Sequence, residues 1–311
     1  MADSPTLSAH SGPSYVTKEQ AAALQTFKKT LQAAKLYTPA TGDAPASHDD
    51  TTLLRFLRAR KLDPVKAQAQ FSATEEWRRK NDVVNLYATF PTDEFEHAKQ
   101  FYPRWTGRRD KQGVPVYVYR LASLTGDMAK ELNNTPIERR YQRIVALWEF
   151  MSNFTLPLCS ALPHAGALGG PISSVTSIID LGSVSLGTMW GLRHHLQQAS
   201  ELATAHYPET LNTIAVVNAP AFFGTVWGWI KAWFDPHTRD KVHVLGSSPR
   251  AELLKLIDAE NLPRGYGGEL EFEYLDEPVL DEEAKRLVGD ERVPRGPVVF
   301  RGGAVSRPPA P

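Results

Sequence analysis

The chain has almost no cysteine and no net charge, and none of the compact motifs that mark common catalysts. Cys159 is the single cysteine in 311 residues, which excludes an internal disulfide framework and a cysteine-rich zinc cage and fits a reducing compartment. Lysine and arginine total 35, as do aspartate and glutamate, so the basic footprint of a nucleic-acid binder is missing and no such partner is expected. Neutrality also removes whole-molecule steering toward anionic membranes and leaves only local basic clusters. The opening residues, MADSPTLSAH, lack the positive start and apolar run of a signal peptide, and a cytoplasmic chain is expected.

Catalytic patterns are equally scarce. Gly265, Gly267 and Gly268 do not open a helix after a strand, as phosphate-binding glycines do. The run Gly182, Ser183, Val184, Ser185 has the wrong spacing for a nucleophile elbow. Nine histidines supply no H-E-x-x-H pair, and the neighbours His194 and His195 point different ways on a helix. A satisfied surface or core role is expected for both. No catalytic residue, metal ligand or cofactor is assigned, and the chain reads as a binding protein rather than an enzyme. One uncharged stretch, Leu211 to Ile230, approaches the roughly 20 residues that span a bilayer. Asn212, Asn218, Pro220, Gly224 and Gly228 interrupt it, so it divides into a strand over 213–218 and an apolar helix from about Pro220.

What is present is an ordered sequence of elements. Residues 1–15 are small and polar and read as disordered, and the acidic, then Pro/Arg/Gly-rich stretch 271–311 reads as a mostly disordered tail. Residues 16–90 form a helical N-terminal part. Thr17 and Gln20 make a capping box ahead of Leu24, Phe27 and Leu31; a second helix starts near Asp50; Asp63 caps a third that opens with Pro64. From 91 to 270 strands alternate with helices. The runs 116–121, 175–180, 213–218 and 242–246 are short and β-branched, and the last three are apolar on both faces. Between the first two strands, Thr135, Pro136 and Glu138 begin a helix with the stripe Ile137, Tyr141, Ile144, Val145 and Trp148. Further helices are expected over roughly 188–205 and from Ser248–Pro249. The fold class is α/β, a mainly parallel sheet flanked by helices and preceded by a small helical subdomain.

The unusual segment is PAFFGTVWGWIKAWFD, 220–235. It places Phe222, Phe223, Trp227, Trp229, Ile230, Trp233 and Phe234 in about four turns, apolar nearly all round. It is either a fully buried helix or a lid with its inner face on a greasy ligand and its outer face on a membrane. Gly224 and Gly228 weaken it by roughly 1 kcal/mol each relative to alanine, which favours the lid. Glu209 precedes this segment, and Thr238 and Lys241 follow it. From spacing alone they read as ordinary surface charge.

Several motifs in one order resemble the CRAL-TRIO family. They are LLRFLRARKLD (53–63), FYP with DKQGVPVY (101–117), SIIDLGSVS (177–185), HYPETLNTIAVVNAP (206–220), FDPHT (234–238) and ENLPRGYGG (260–268). The match is closest to its secretory-pathway phosphatidylinositol and phosphatidylcholine transfer proteins. The resemblance implies a sheet lining a lipid pocket, closed by a gate helix over 220–235. It implies Arg60, Lys61, Glu209, Thr238 and Lys241 as the phosphatidylinositol headgroup site, in place of surface charge. The second-lipid site matches less well. Tyr117 and Ser177 fit it, but Thr106 and Phe150 stand where a tyrosine is expected and Val175 where a serine is. The ligand implied is a bound phospholipid, chiefly phosphatidylinositol, with a second lipid left open. The implied partners are a transient membrane surface (Golgi, endosomal or plasma membrane) and, in a presenting role, lipid kinases; a monomer is expected. Two alternatives remain: a carrier of another hydrophobic ligand of sterol, squalene or haem type, and a lipid-sensing scaffold.

Overall fold

A computed structural model describes residues 16–42, 44–164, 170–233 and 236–309; expectations for 1–15, and for the side chains of Trp233 and Phe234, fall outside the described part. The N-terminal helices are α1 (Lys18–Ala33), α2 (Asp50–Ala59) and α3 (Pro64–Lys80), followed by α4 (Val83–Thr89) and α5 (Thr92–Ala98). Their starts follow the capping chemistry. Thr17 Oγ1 accepts from the Gln20 N–H at 3.1 Å, and the Gln20 side chain accepts from the Thr17 N–H at 3.4 Å. Asp49 caps α2, and Asp63 accepts from the Val65 and Lys66 N–H groups with Pro64 in the first turn of α3. Leu24, Phe27, Leu31, Leu53, Phe56 and Phe71 form one core, in which Phe71 meets Phe27 and Phe56 edge-on.

The α/β part holds a five-stranded sheet in the order β1 (Arg104–Arg109), β2 (Pro115–Arg120), β3 (Val175–Asp180), β4 (Leu211–Val217), β5 (Val242–Val244). Strands β2 to β5 run parallel, and β1 is an added antiparallel edge. The expected run 116–121 thus has an antiparallel neighbour that sequence reading missed. RWTGRR carries too many charges to read as a strand. Across the sheet, Tyr117, Ser177, Ile214 and Val242 stand in one register row. Tyr119, Ile179 and Val216 make the next row toward the strand ends. Both rows point to one face. Val116, Val118, Thr176, Ile178, Thr213, Ala215 and Val217 point to the other, each at most 1% exposed. Two buried faces explain the continuous apolar runs.

Helices complete the layers: α6 (Gly126–Asn134), α7 (Ile137–Phe150), α8 (Leu156–Ala161), α9 (Leu186–His206), α10 (Phe223–Ile230), α11 (Pro236–Asp240) and α12 (Arg250–Leu256). A π-helical turn, Met151–Thr155, joins α7 to α8. Thr135 does not cap α7; its hydroxyl donates back to the Glu131 carbonyl at 2.8 Å, and Ile137 is 67% exposed rather than part of the buried stripe. The helix Ile137–Ala161 is long and apolar enough to cross a bilayer, but 61% of its most apolar window is buried in the fold.

The stretch after 270 is a correction. It is ordered through residue 309 and packs as α13 (Glu282–Val288) and a hairpin of β6 (Val299–Arg301) and β7 (Ala304–Ser306). Phe272, Tyr274, Leu280, Ala284, Val298, Val299 and Phe300 are all buried. Gly302 and Gly303, at φ 59° and 80°, supply the two-residue turn that only glycine-like residues adopt without cost. Charged and proline-rich spacers hid these short apolar clusters from a composition-based reading.

Candidate functional site: an apolar cavity under a short aromatic helix

One face of the sheet looks into a cavity of about 690 Å³. Its floor is the two register rows described above, with Val175 and Leu211 nearest the N-terminal strand ends. Its walls come from α7 (Ile144, Leu147, Trp148) and α9 (Met189, Leu196, Ala199), and its cover from α10. On α10, Phe223, Trp227 and Ile230 recur at i, i+4 and i+7 and all face the cavity. Gly224, Gly228 and Trp229 lie outward; Trp229 is 55% exposed, and a Cβ on either glycine would meet nothing within 4 Å. The single four-turn helix read from the sequence is not formed. The segment breaks into α10, a 3-10 turn over Lys231–Trp233, and α11. Of the seven expected lid residues, Phe223, Trp227 and Ile230 line the cavity, while Phe222 packs against its surrounding core.

Residues from three distant stretches meet at the cavity's polar end. The C-terminus of α2 contributes Arg58, Arg60 and Lys61; the loop after α9 contributes Glu209; α11 and its exit contribute Thr238 and Lys241. Lys61 and Leu62 both adopt left-handed φ, 52° and 61°, which ends α2 abruptly and turns its basic end to the cavity. Lys241 is 7% exposed and donates to Glu209 Oε2 at 2.9 Å and to the Leu211 carbonyl at 2.8 Å. Arg60 donates to the Ala59 carbonyl at 3.0 Å. Burial holds the Arg58 guanidinium below its usual range, and Glu209 opposes that shift. Arg58 was missed in the sequence, although it is the first arginine of the same R-A-R-K run.

The second-lipid residues divide. Tyr117, Val175 and Ser177 line the cavity. Thr106 does not: β1 pairs Trp105 with Tyr117, so Thr106 falls on the opposite face, fully buried, its hydroxyl on the Val116 carbonyl at 3.0 Å. Phe150 misses the cavity as well. It packs against Phe95 and Phe154 with the Lys99 ammonium 5.2 Å from its ring centre, beside a separate void of about 40 Å³.

Behind the site, α3 is locked to the end of α9. Gln70 donates to the Thr204 and Ala205 carbonyls, both at 3.0 Å, and Trp77 stacks on His206 at 4.0 Å. Arg78 grips Glu149 of α7 through two bonds of 2.6 and 3.0 Å, and Tyr207 donates to Glu149 at 2.6 Å. Burial alone would push the Glu149 carboxyl up, yet Arg78 and these hydrogen bonds hold it below its usual range. No group of three metal-binding side chains occurs among the described residues. His194 is exposed, and His195 is buried against Tyr102 and the Phe101 carbonyl.

A mixed α/β chain with a helical N-terminal part and an apolar cavity on one face of its sheet is the class these elements define. Comparison with known families places it. The model of the CRAL/TRIO domain matches residues 100–268, and that of the CRAL/TRIO N-terminal domain matches residues 23–73; the chain belongs to the CRAL/TRIO family. It is 34% identical over 257 residues to the SEC14 cytosolic factor of Eremothecium gossypii, covering 83% of this chain and 79% of that one. It is 34% identical to the Sec14 cytosolic factor of Schizosaccharomyces pombe, over 82% and 84% of the two chains. The phosphatidylinositol/phosphatidylcholine transfer protein SFH9 of Arabidopsis thaliana shares 34% over 81% of this chain but only 41% of its own length. The crystal structure of Sfh5 superposes with a TM-score of 0.62 at 18% identity, over 86% of this chain and 93% of that one, which is a likeness of fold.

Proposed function

We propose that the chain is a phosphatidylinositol carrier that exchanges lipid between its cavity and a membrane by outward movement of the 220–233 segment. The observation that carries this reading is the cavity itself: an apolar floor, walls and cover from the sheet, α7, α9 and α10, with Arg58, Arg60, Lys61, Glu209, Thr238 and Lys241 gathered at one end. Acyl chains belong on those walls, since each buried methylene is worth about 0.8 kcal/mol and two chains of some thirty methylenes upwards of 20 kcal/mol. The cations would neutralise the lipid phosphate, Thr238 would donate to it, and Glu209 would accept from an inositol hydroxyl. Trp229, outward on α10, offers an interfacial anchor that needs no net charge. The names of the Arabidopsis relative and the family match support the same ligand class. Uptake of labelled phosphatidylinositol from vesicles tests it, with Arg60→Ala as the variant. Loss of at least tenfold in uptake is expected. Unchanged uptake would remove the headgroup assignment, and no uptake by the unaltered protein would remove the carrier reading.

A further inference from the structure

The first turns of α9 are apolar on two opposite sides. Met189 and Leu196 face the cavity, and Leu192 is buried in the core beside them. Outward, Leu186, Trp190 and His194 recur at every fourth position. Leu186 is 50% and Trp190 60% exposed, and Gly187 and Gly191 next to them are exposed as well. The inward side completes the fold. The outward side does not, and large apolar side chains left in water on a cavity wall mark a contact with something outside the chain.

Position and charge say what that is. Both α9 and α10 leave the C-terminal end of a parallel strand, β3 or β4, and lead back to the start of the next, so they run in one direction over the same face of the sheet. Both line the cavity, and the 3-10 turn after α10 rests against α9. Trp190 and Trp229 therefore look outward on the same side. No aspartate or glutamate occurs from Gly182 to Ser200 or from Thr210 to Phe234, although the chain holds 35 of them; the arginine and lysine there are Arg193 and Lys231. The Arg193 guanidinium lies 4.3 Å from the centre of the Trp190 ring and donates to the Trp190 carbonyl at 2.6 Å, which holds the charge at the level of the indole. An indole beside a cation on an acid-free face fits the interface of an anionic bilayer, where rings sit at headgroup depth and cations meet lipid charge. A protein clamped across both helices would pin the segment that has to move, whereas a fluid bilayer would not.

We propose that the outer face of α9 around Leu186, Trp190 and Arg193 is the stationary half of a docking surface for anionic bilayers, beside the moving half carried by α10. The far end of α9 is held by the Gln70 bonds to Thr204 and Ala205 and by the stack of Trp77 on His206. The proposal rests on the carrier reading and adds its partner surface: the chain stays docked through α9 while α10 opens.

Flotation of the full chain with vesicles of phosphatidylcholine, with and without phosphatidylserine, tests it. Tighter binding to the mixed vesicles is expected, with Trp190→Ala lowering it about five- to tenfold and Trp190→Phe lowering it less. Arg193→Gln should shrink the preference for phosphatidylserine. Because Trp190 is largely exposed, Trp190→Ala should hold as much phosphatidylinositol at equilibrium as the unaltered chain while transferring it more slowly. Unchanged vesicle binding in Trp190→Ala, or equal binding of the unaltered chain to both vesicles, would overturn the proposal. So would a change of oligomeric state in place of lost binding, which would make a second copy the occupant, or loss of bound lipid together with docking, which would make Trp190 structural. Phosphatidylinositol uptake by the unaltered chain separates the two readings. Uptake with docking indifferent to Trp190 sinks only this surface, and Trp190-dependent docking without uptake sinks only the carrier.

Discussion

Lys241 gives up nearly all contact with water to hold Glu209 and the Leu211 carbonyl, whereas Arg60 reaches only the carbonyl beside it and stays half-buried. The two cations therefore separate structure from binding. Glu209→Ala strands a buried ammonium and is expected to cost about 3 kcal/mol in urea unfolding. Arg60→Ala should cost no more than about 0.5 kcal/mol while lowering phosphatidylinositol uptake. Equal losses of stability would mean that Arg60 is structural too. A second residue prediction follows from register. Thr106→Val removes one buried hydrogen bond, so stability should fall by about 1 kcal/mol with lipid uptake unchanged. Any effect on uptake would show that Thr106 reaches the ligand. These cases mark what was legible at this scale. Arg60, Lys61, Glu209, Thr238 and Lys241, which motif matching named, all line the cavity. The same matching misplaced Thr106, because a one-residue change of register inverts the face and pairing is not written in the sequence.

At the scale of the element, local chemistry was legible at helix starts set by their own side chains beside a long apolar pattern, as at Thr17 and Asp63, but not at Asp281, which caps α13 inside a charged, proline-rich stretch. It failed where tertiary packing decides. The continuous aromatic run around 220–235 gives no local signal for the break between α10 and the 3-10 turn that follows. The two glycines of α10 make the role of that break testable. Neither position has left-handed φ, and an added Cβ meets no atom within 4 Å at either. Gly224→Ala with Gly228→Ala should therefore stiffen the helix by about 1 kcal/mol at each site without a clash. If α10 must loosen for lipid to pass, transfer between vesicles should slow several-fold while the amount of lipid bound at equilibrium stays the same. Unchanged transfer rates would exclude loosening of this helix as the step that limits exchange.

Over the whole molecule, two seams join the helical part to the sheet, and composition conceals both. The first is the C-terminal strap. Tyr87 of α4 donates to the Val298 carbonyl at 2.6 Å and accepts from the Val298 N–H at 3.1 Å, and Phe300 shares a core with Phe95, Phe150 and Phe154. Phe300→Ala should cost about 3–5 kcal/mol, a loss no disordered tail would show. The second seam is the stack of Trp77 on His206, with Thr74 Oγ1 3.2 Å from the imidazole. Burial, and then the neighbouring Arg78, push His206 down from 6.5 to about 4. As pH falls the unfolded chain takes up this proton first, so the stability contributed by the neutral ring declines from about pH 6.5 and levels off below about 4. Asp110 acts in the opposite sense, since burial raises it from 3.8 to about 6 and the folded state protonates first. The raw pH curve therefore sums opposing trends, and the seam shows only in a difference. His206→Phe keeps a flat ring against Trp77 and removes the proton. Relative to the unaltered chain, this variant should gain stability steadily as pH is lowered from 6.5 to 4 and stay level above 7. A difference independent of pH would mean that His206 takes up its proton equally readily in the folded and unfolded chain, so that the stack on Trp77 does not hold the ring neutral and the pH dependence of the seam lies elsewhere.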